Sequence, residues 1–462
     1  MPPAPSVLVR QGVGRTLLSM AVPMLAGTFA MNAYNLADTW FVSRLGTRAL
    51  AAMGFTFPVV MLITSVARGL GTGLMLLVSH ALGRNDQQAA ARLTSHGLLM
   101  MTLVTVVISI GGFFAIDPVF RQLGVDAETM PLVRDYMSVW FLGAITMSLP
   151  MAGNGILISL GDSRTASRLM MLGTLLNVCL DPILIFGLLG FPAMGMRGAA
   201  LATVLAQAVS AVWLLRLFSS RKHALLLPLR GLVGGFCTSC KGIIAMGTPS
   251  VITMLLMPLS AGIITKLLGR FGHEAVAAAG AAGRIEMFAF VIPMALGMSL
   301  TPFVSQNYGA ERPDRNHVAL RLSIRFAVLY GAVIAIIFFV SAPTLAGFFT
   351  DDPEVTRIFC AYVRIIAFGY GMMEVHRYGG FALNGLHRPV AATLLSALRV
   401  LVLLIPLSML GAYWGGIHGL FWSRLGTDLI SGVIAIAWVR KLFQTDPKGN
   451  EDKDRRHSVP HS

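Results

Sequence analysis

Charge is the scarcest property of this 462-residue sequence: Asp, Glu, Lys and Arg make up 12% of it, about half of the roughly 25% usual in a soluble domain. With 55% hydrophobic residues and a mean hydropathy of +0.72, that shortage excludes a soluble enzyme. Cysteine is scarce too. Cys179, Cys237, Cys240 and Cys360 lie in apolar settings and are too few for a disulfide framework. Cys237 and Cys240 have the spacing of half a zinc site, but no second pair and no His cluster accompanies them, so no metal is expected there. Acids are fewer than bases, 21 against 36, for a net charge of +15. Nucleic-acid binding would need those bases clustered on one surface; they fall mainly between long apolar runs, and no nucleic-acid partner is expected. No small-residue cleavage site follows Arg10 and Arg15 behind a short apolar region, so no cleaved signal peptide is expected. What remains is a polytopic membrane protein, whose 48 Gly suit close helix packing.

A helix crosses the hydrocarbon in about 20 residues. That window predicts twelve spans, at 16–42, 48–82, 93–116, 131–159, 168–190, 198–218, 241–268, 275–308, 318–349, 354–385, 389–411 and 415–442. Turn and charge signals separate them, among them Gly83 to Asp86, Gly161 to Arg164, Ala310 to Asp314 and Asp351 to Pro353. Counting Lys and Arg on alternate loops puts 22 on the set that includes both termini and 9 on the other; because basic loops stay inside, both termini are expected in the cytoplasm.

Shifting the chain by 226 residues brings out a repeat. Pro23 falls on Pro249, Ala49, Ala51, Ala52 and Gly54 on Ala275, Ala277, Ala278 and Gly280, and Gly71, Ser79 and Gly83 on Gly297, Ser305 and Gly309. Six spans in each half make the repeat parallel. The fold class expected is an all-α polytopic membrane protein, with two six-helix lobes around a central cavity. Its parts would be an N-lobe at 1–218, a cytoplasmic linker at 219–240, a C-lobe at 241–443 and a charged, disordered tail at 444–462.

A charge near the centre of a membrane helix costs at least about 2.5–3.5 kcal/mol on insertion scales, so each needs a reason. Asp38 in the first span falls on Ile264 under the shift, and Asp181 in the fifth on Leu407. The N-terminal half therefore holds two acids that the other half lacks. Asn177 and Asp181 share a helix face at i, i+4, as do Tyr34 and Asp38; Asn154 and Thr203 add uncharged polar groups. Such a set accepts a proton, titrating as a coupled pair, or holds a hard cation through oxygen. The alternative is that the two acids merely end their helices. Glu374 and Arg377 at i, i+3 read as a neutralising pair. Arg284 and Glu286 face apart and each needs another partner, while Arg68, Arg399 and Asp428 read as interhelix partners or snorkelling side chains.

The stretch Asn177 to Gly187 resembles the fifth-helix signature of the multidrug and toxic compound extrusion (MATE) family of cation-coupled antiporters. Ala37 to Gly46 with Ala49 to Gly54 resembles its first-helix exit, and Pro302 to Gly309 the end of its eighth. The resemblance covers nearly the whole chain. It implies alternating access between inward and outward states, with amphipathic, often cationic, compounds exported against H+ or Na+. It also implies that Asp38, Asn177, Asp181 and Thr203 form the N-lobe coupling site, and that Tyr34, Tyr136 and Asn154 line the same cavity, as in DinF-like members. Met31 and Glu286 complete the candidate substrate cavity. Pro249 to Pro258 contains no acid where members with a C-lobe site carry one, which favours the N-lobe and H+, with Na+ at Asp38, Asn177 and Asp181 the other possibility. No cofactor is expected; the expected partners are small-molecule substrates and membrane lipid, in a monomer of a bacterial inner membrane. A lipid-linked precursor flippase is the rival transporter. An integral-membrane transferase would need a nucleophile with its base, or a metal cluster, and the dispersed His residues offer neither.

Overall fold

The structure, a computed structural model, describes residues 7–220, 225–226 and 234–445. The charged tail expected past 445 and much of the expected linker lie outside the described residues. After a short turn, Val7–Arg10, the chain forms α1 (Val13–Ser43), α2 (Thr47–Gly83), α3 (Gln87–Gln122), α4 (Met130–Ser159), α5 (Ser163–Phe186), α6 (Gly195–Ser219) and α7 (Phe236–Leu268). Then come α8 (His273–Ala289), α9 (Val291–Gly309), α10 (Pro313–Gly347), α11 (Pro353–Gly385) and α12 (Pro389–Lys441). Ten of these are each long and apolar enough to cross a membrane, and α8 with α9 make one more, bent by 51°. Within α12 the backbone turns at Gly416 (φ 59°, ψ −143°), and Gly411 and Gly419 touch backbone to backbone across that turn. Divided there, α12 is two spans and the total is twelve.

The breaks between spans also start helices. Asp86, Asp162 and Asp352 each accept a backbone N–H of the following first turn, at 2.8, 3.1 and 2.8 Å, supplying an acceptor for donors that a helix start leaves unpaired. The bend between α8 and α9 was not visible as an interruption of the apolar window. Its cause is Pro293, which has no N–H to give to Ala289 four residues earlier; the Ala289 carbonyl instead accepts the Tyr330 hydroxyl at 2.6 Å.

Backbone conformation repeats with the sequence. Left-handed residues occur in pairs 226 apart: Gly46 and Gly272 (φ 108° and 103°), Asn85 and Glu311 (62° and 56°), Gly161 and His387 (78° and 59°), Gly190 and Gly416 (85° and 59°). Positive φ is uncommon for any residue but Gly, though Asn and His adopt it more readily than Glu, so these turns keep their geometry even where the residue has changed. The last pair equates the α5–α6 connection with the turn inside α12.

The helices gather into two compact units, Met1–Leu255 with Met294–Ala310, and Leu256–Pro293 with Glu311–Ser462. In the first, α1 packs on α5 and α4 packs on α2, α3 and α6, around Val133, Met137, Trp140, Ile185 and Ala200. In the second, α11 lies against α8, α10 and α12, around Phe359, Val363, Ile366, Tyr370 and Phe421.

Within the first unit, α2 meets the start of α7 and the end of α9 through glycines. A Cβ on Gly83 would strike the Gln306 carbonyl, and one on Gly309 would strike that of His80. These are the same contact twice, since 83 and 309, and 80 and 306, are repeat equivalents. Further along, a Cβ on Gly73 would lie 2.6 Å from Gly247 N, and one on Gly247 would lie 2.8 Å from Leu70 Cα. Ser305 Oγ donates to Leu76 O at 3.0 Å, Ser79 Oγ to Ser159 Oγ at 2.7 Å, and Gln306 Nε2 donates to Ser159 O. Overpacking such a seam costs about 1–3 kcal/mol. Gly83→Ala and Gly309→Ala are therefore each expected to lower the melting temperature of the purified protein by similar amounts, while Gly111→Ala, whose Cβ would meet nothing within 4 Å, leaves it unchanged; equal melting of all three would refute the seam.

Candidate functional site

The first unit brings together most of the residues singled out in the sequence. Asp38 (6% exposed) on α1, Asn177 (1%) and Asp181 (0%) on α5 and Thr203 (3%) on α6 are all buried. Neither acid ends a helix, because each is followed by five further residues of its own helix, to Ser43 and Phe186. The Asn177 amide is satisfied with its NH2 toward Asp181 Oδ2, at 3.0 Å, and its oxygen toward Thr203, accepting from Oγ1 at 3.2 Å and from the backbone N–H at 3.3 Å. Thr203 Oγ1 lies 3.2 Å from the Tyr34 hydroxyl, so a continuous run of hydrogen bonds links Tyr34 on α1 to Asp181 on α5 through Thr203 and Asn177.

Asp38 interacts electrostatically with Asp181, and Tyr136 with Asp38, Tyr34 and Asp181. No Lys or Arg forms an ion pair with either acid among the described residues, and Asp38 Oδ1, buried, has no hydrogen-bond partner among them. Two carboxylates in low dielectric without a base are an unstable arrangement while both are ionised. A proton or a bound cation relieves it. Asn154, on α4, has its Oδ1 buried without a hydrogen-bond partner among the described residues; Met31 is half-buried, three residues before Tyr34 on α1.

Glu286 lies elsewhere, on α8 in the second unit, and its carboxylate is fully engaged. Arg424 Nη2 reaches both oxygens at 3.1 Å, Tyr370 donates at 2.9 Å and Tyr362 at 3.2 Å. The sequence reading left Glu286 in need of a partner and did not single out Arg424, which is 138 residues away and carries no local signal. Glu374 and Arg377 pair at 2.6 Å as their spacing suggests. Arg399, in a π-helical turn (Leu398–Leu404), meets Asp428 at 2.6 Å; π turns recur at functional sites. The buried acids Glu286, Glu374 and Asp428 of the second unit thus each meet an arginine, whereas the buried Asp38 and Asp181 of the first meet none among the described residues.

The model of the family described as MatE matches residues 23–183 and again 249–410. The chain belongs to the MatE family. The two matches start at Pro23 and Pro249, the 226-residue offset of the repeat. This MatE chain is similar to a FAD transporter of Shewanella oneidensis, 35% identical over 443 residues that cover 95% of it and 96% of the relative. It is similar also to a probable multidrug resistance protein, NorM, of Thermotoga maritima, 23% identical with 93% and 92% covered. Among solved structures it resembles the Vibrio cholerae MATE transporter VcmN in the bent form, with a TM-score of 0.89, 28% identity, and 94% and 97% of the two chains covered. The chain is accordingly a multi-pass membrane transporter of two repeated six-span halves, and not an enzyme.

Proposed function

We propose that this MatE transporter exports small amphipathic molecules in exchange for H+, and that Asp38, Asn177, Asp181 and Thr203 are where the proton is held. What carries the reading is the contrast between the buried acids of the two units: Asp38 and Asp181 beside amide and hydroxyl groups without a base in the first, and Glu286, Glu374 and Asp428 each tied to an arginine in the second. An acid already paired has little use for a proton. In the buried pair of the first unit, protonation removes a repulsion and changes which hydrogen bonds Asn177 and Thr203 make, a local event able to bias helices α1 and α5. Basic loops support a cytoplasmic location for both termini and for the Gly83 and Gly309 ends of their helices; on that reading the proton is taken up from outside and released inside, in a bacterial-type inner membrane. Na+ held by the same oxygens is the variant reading.

Two substrate classes follow. The relatives described as multidrug proteins support amphipathic, often cationic, xenobiotics. The Shewanella oneidensis relative, with the higher identity, supports flavin adenine dinucleotide. Both are tested by loading proteoliposomes with ethidium or flavin adenine dinucleotide and imposing a pH gradient and a Na+ gradient separately. The expected result is uphill movement of at least one probe under the pH gradient. Movement under the Na+ gradient alone would reassign the carboxylates to Na+, and movement of neither probe under either gradient would refute the export reading.

A further inference from the structure

The connection between α5 and α6 is unlike the others on its face of the first unit. Ser43, Gln122 and Phe186 end the alternate spans α1, α3 and α5 and so share that face. Two of the connections there are polar: 44–46 carries Arg44, and 123–129 carries Asp126 and Glu128, with Glu128 and Arg48 paired and both side chains exposed. The third, from Gly187 to Met196, holds no polar side chain, and every residue from 188 to 193 is exposed, Leu189 by 83%. A connection between helices is ordinarily rich in polar and turn-forming residues, and a contiguous exposed apolar patch marks a contact surface.

This apolar loop is folded. The Met194 N–H donates to the Leu184 carbonyl at 3.0 Å, turning the chain back onto the end of α5, and the Phe191 N–H donates to the Leu188 carbonyl at 3.2 Å. Gly187 is left-handed (φ 74°), and a Cβ on it would lie 2.6 Å from Ala193 N. Leu189 is left-handed as well (φ 57°, ψ 27°), a conformation costly for a leucine. A strained leucine that gains no packing within the chain has its partner outside it.

Depth says what that partner is. From Arg168 to Gly187 on α5, and from Arg216 to Arg197 on α6, is about 29 Å at about 1.5 Å per residue, matching a hydrocarbon core of about 30 Å. Each stretch presents exposed apolar side chains, Met171, Leu175 and Phe186 on α5 and Leu205, Val209 and Val212 on α6. The loop continues that lipid-facing surface to the level of Arg197, which is exposed and paired with Asp135 at 2.8 Å, as befits the headgroup region. The second unit, taken by itself, repeats the pattern: Tyr413 and Trp414, 226 residues after Gly187 and Leu188, are 84% and 77% exposed, and Tyr and Trp collect at membrane interfaces.

We propose that the 188–193 loop is a lipid-surface anchor, with Leu188, Leu189 and Phe191 inserted between the headgroups and upper acyl chains of the leaflet on this face. It pins the ends of α5 and α6, the helices that carry Asn177, Asp181 and Thr203. The loop backbone stays at headgroup level, because irregular backbone is not tolerated against hydrocarbon, and the side chains reach below it, as the apolar face of an interfacial segment does.

The test begins with the wild-type chain in phosphatidylcholine nanodiscs containing a phosphatidylcholine with a diazirine high on one acyl chain. After irradiation, mass spectrometry is expected to find lipid adducts on 188–193 and around Leu175 and Val209, and none at Glu128. Adducts around Leu175 and Val209 with none on 188–193 would overturn the proposal. Depth is then read with a nitroxide on Leu189→Cys or Glu128→Cys, in a chain whose four cysteines are replaced by Ala. The ratio of collisions with oxygen to collisions with a water-soluble nickel chelate is expected to be about fivefold or more higher at 189 than at 128. Equal ratios would put the loop in water, and a nitroxide at 189 shielded from both reagents would put a second copy of the chain over it; either result overturns the lipid anchor.

Discussion

Replacing Asp38 and Asp181 together by Asn is expected to abolish uphill export while leaving the protein folded. Asn keeps the shape and hydrogen-bonding capacity of each side chain, but it takes up no proton, so the step that links the gradient to the substrate is lost. One charge moving through 100 mV releases about 2.3 kcal/mol, enough for about a fiftyfold gradient of a neutral substrate. The double variant should bring a neutral probe to equal concentrations on both sides, with downhill exchange persisting. Accumulation of substrate ratios in proteoliposomes measures this directly. Because both acids are buried without a base, the neutral variants should also melt no lower than the wild type, the opposite of what is expected for structural ion pairs.

The second large effect concerns stability, in the other unit. Arg424→Leu leaves Glu286 almost wholly buried without its cation, held only by Tyr362 and Tyr370. Breaking a buried pair from one side costs about 3–5 kcal/mol; because the Arg424 side chain is 23% exposed, about 3 kcal/mol is the appropriate expectation. Removing both charges, as Glu286→Leu with Arg424→Leu, should recover most of the loss. Thermal melting of the two variants in detergent checks this, and a double variant as unstable as the single one would show that the network around Tyr362 and Tyr370, not the charge pair, sets the cost.

How much of this was legible in the sequence depends on whether the signal was local. The spans and their breaks were readable because an apolar window of fixed length is a local property, and Asp86, Asp162 and Asp352 signal helix starts by their position alone. The repeat was readable from Gly and Ala identities, and the left-handed pairs such as Gly161 with His387 show it continuing where identity has gone. Asp38, Asn177 and Asp181 stood out because charge and amide are rare in such windows. Partnerships across long separations were not readable: nothing local marks Arg424 as a partner until Glu286 is brought against it. Nor was the bend after Ala289, since a proline near a turn of helix is compatible with both a straight and a broken span until the fate of the freed carbonyl is known. Arg68 is the converse case: expected to find an interhelix partner or to snorkel, it meets no carboxylate among the described residues.

The most direct measurement is of the proton itself. In sodium-free proteoliposomes carrying a pH-sensitive dye, an imposed substrate gradient should drive protons in the opposite direction to the substrate, and Asp38→Asn should eliminate that proton movement. Substrate that runs down its gradient with no proton movement, or proton movement that survives intact in Asp38→Asn, would contradict coupling at the buried carboxylates of the first unit.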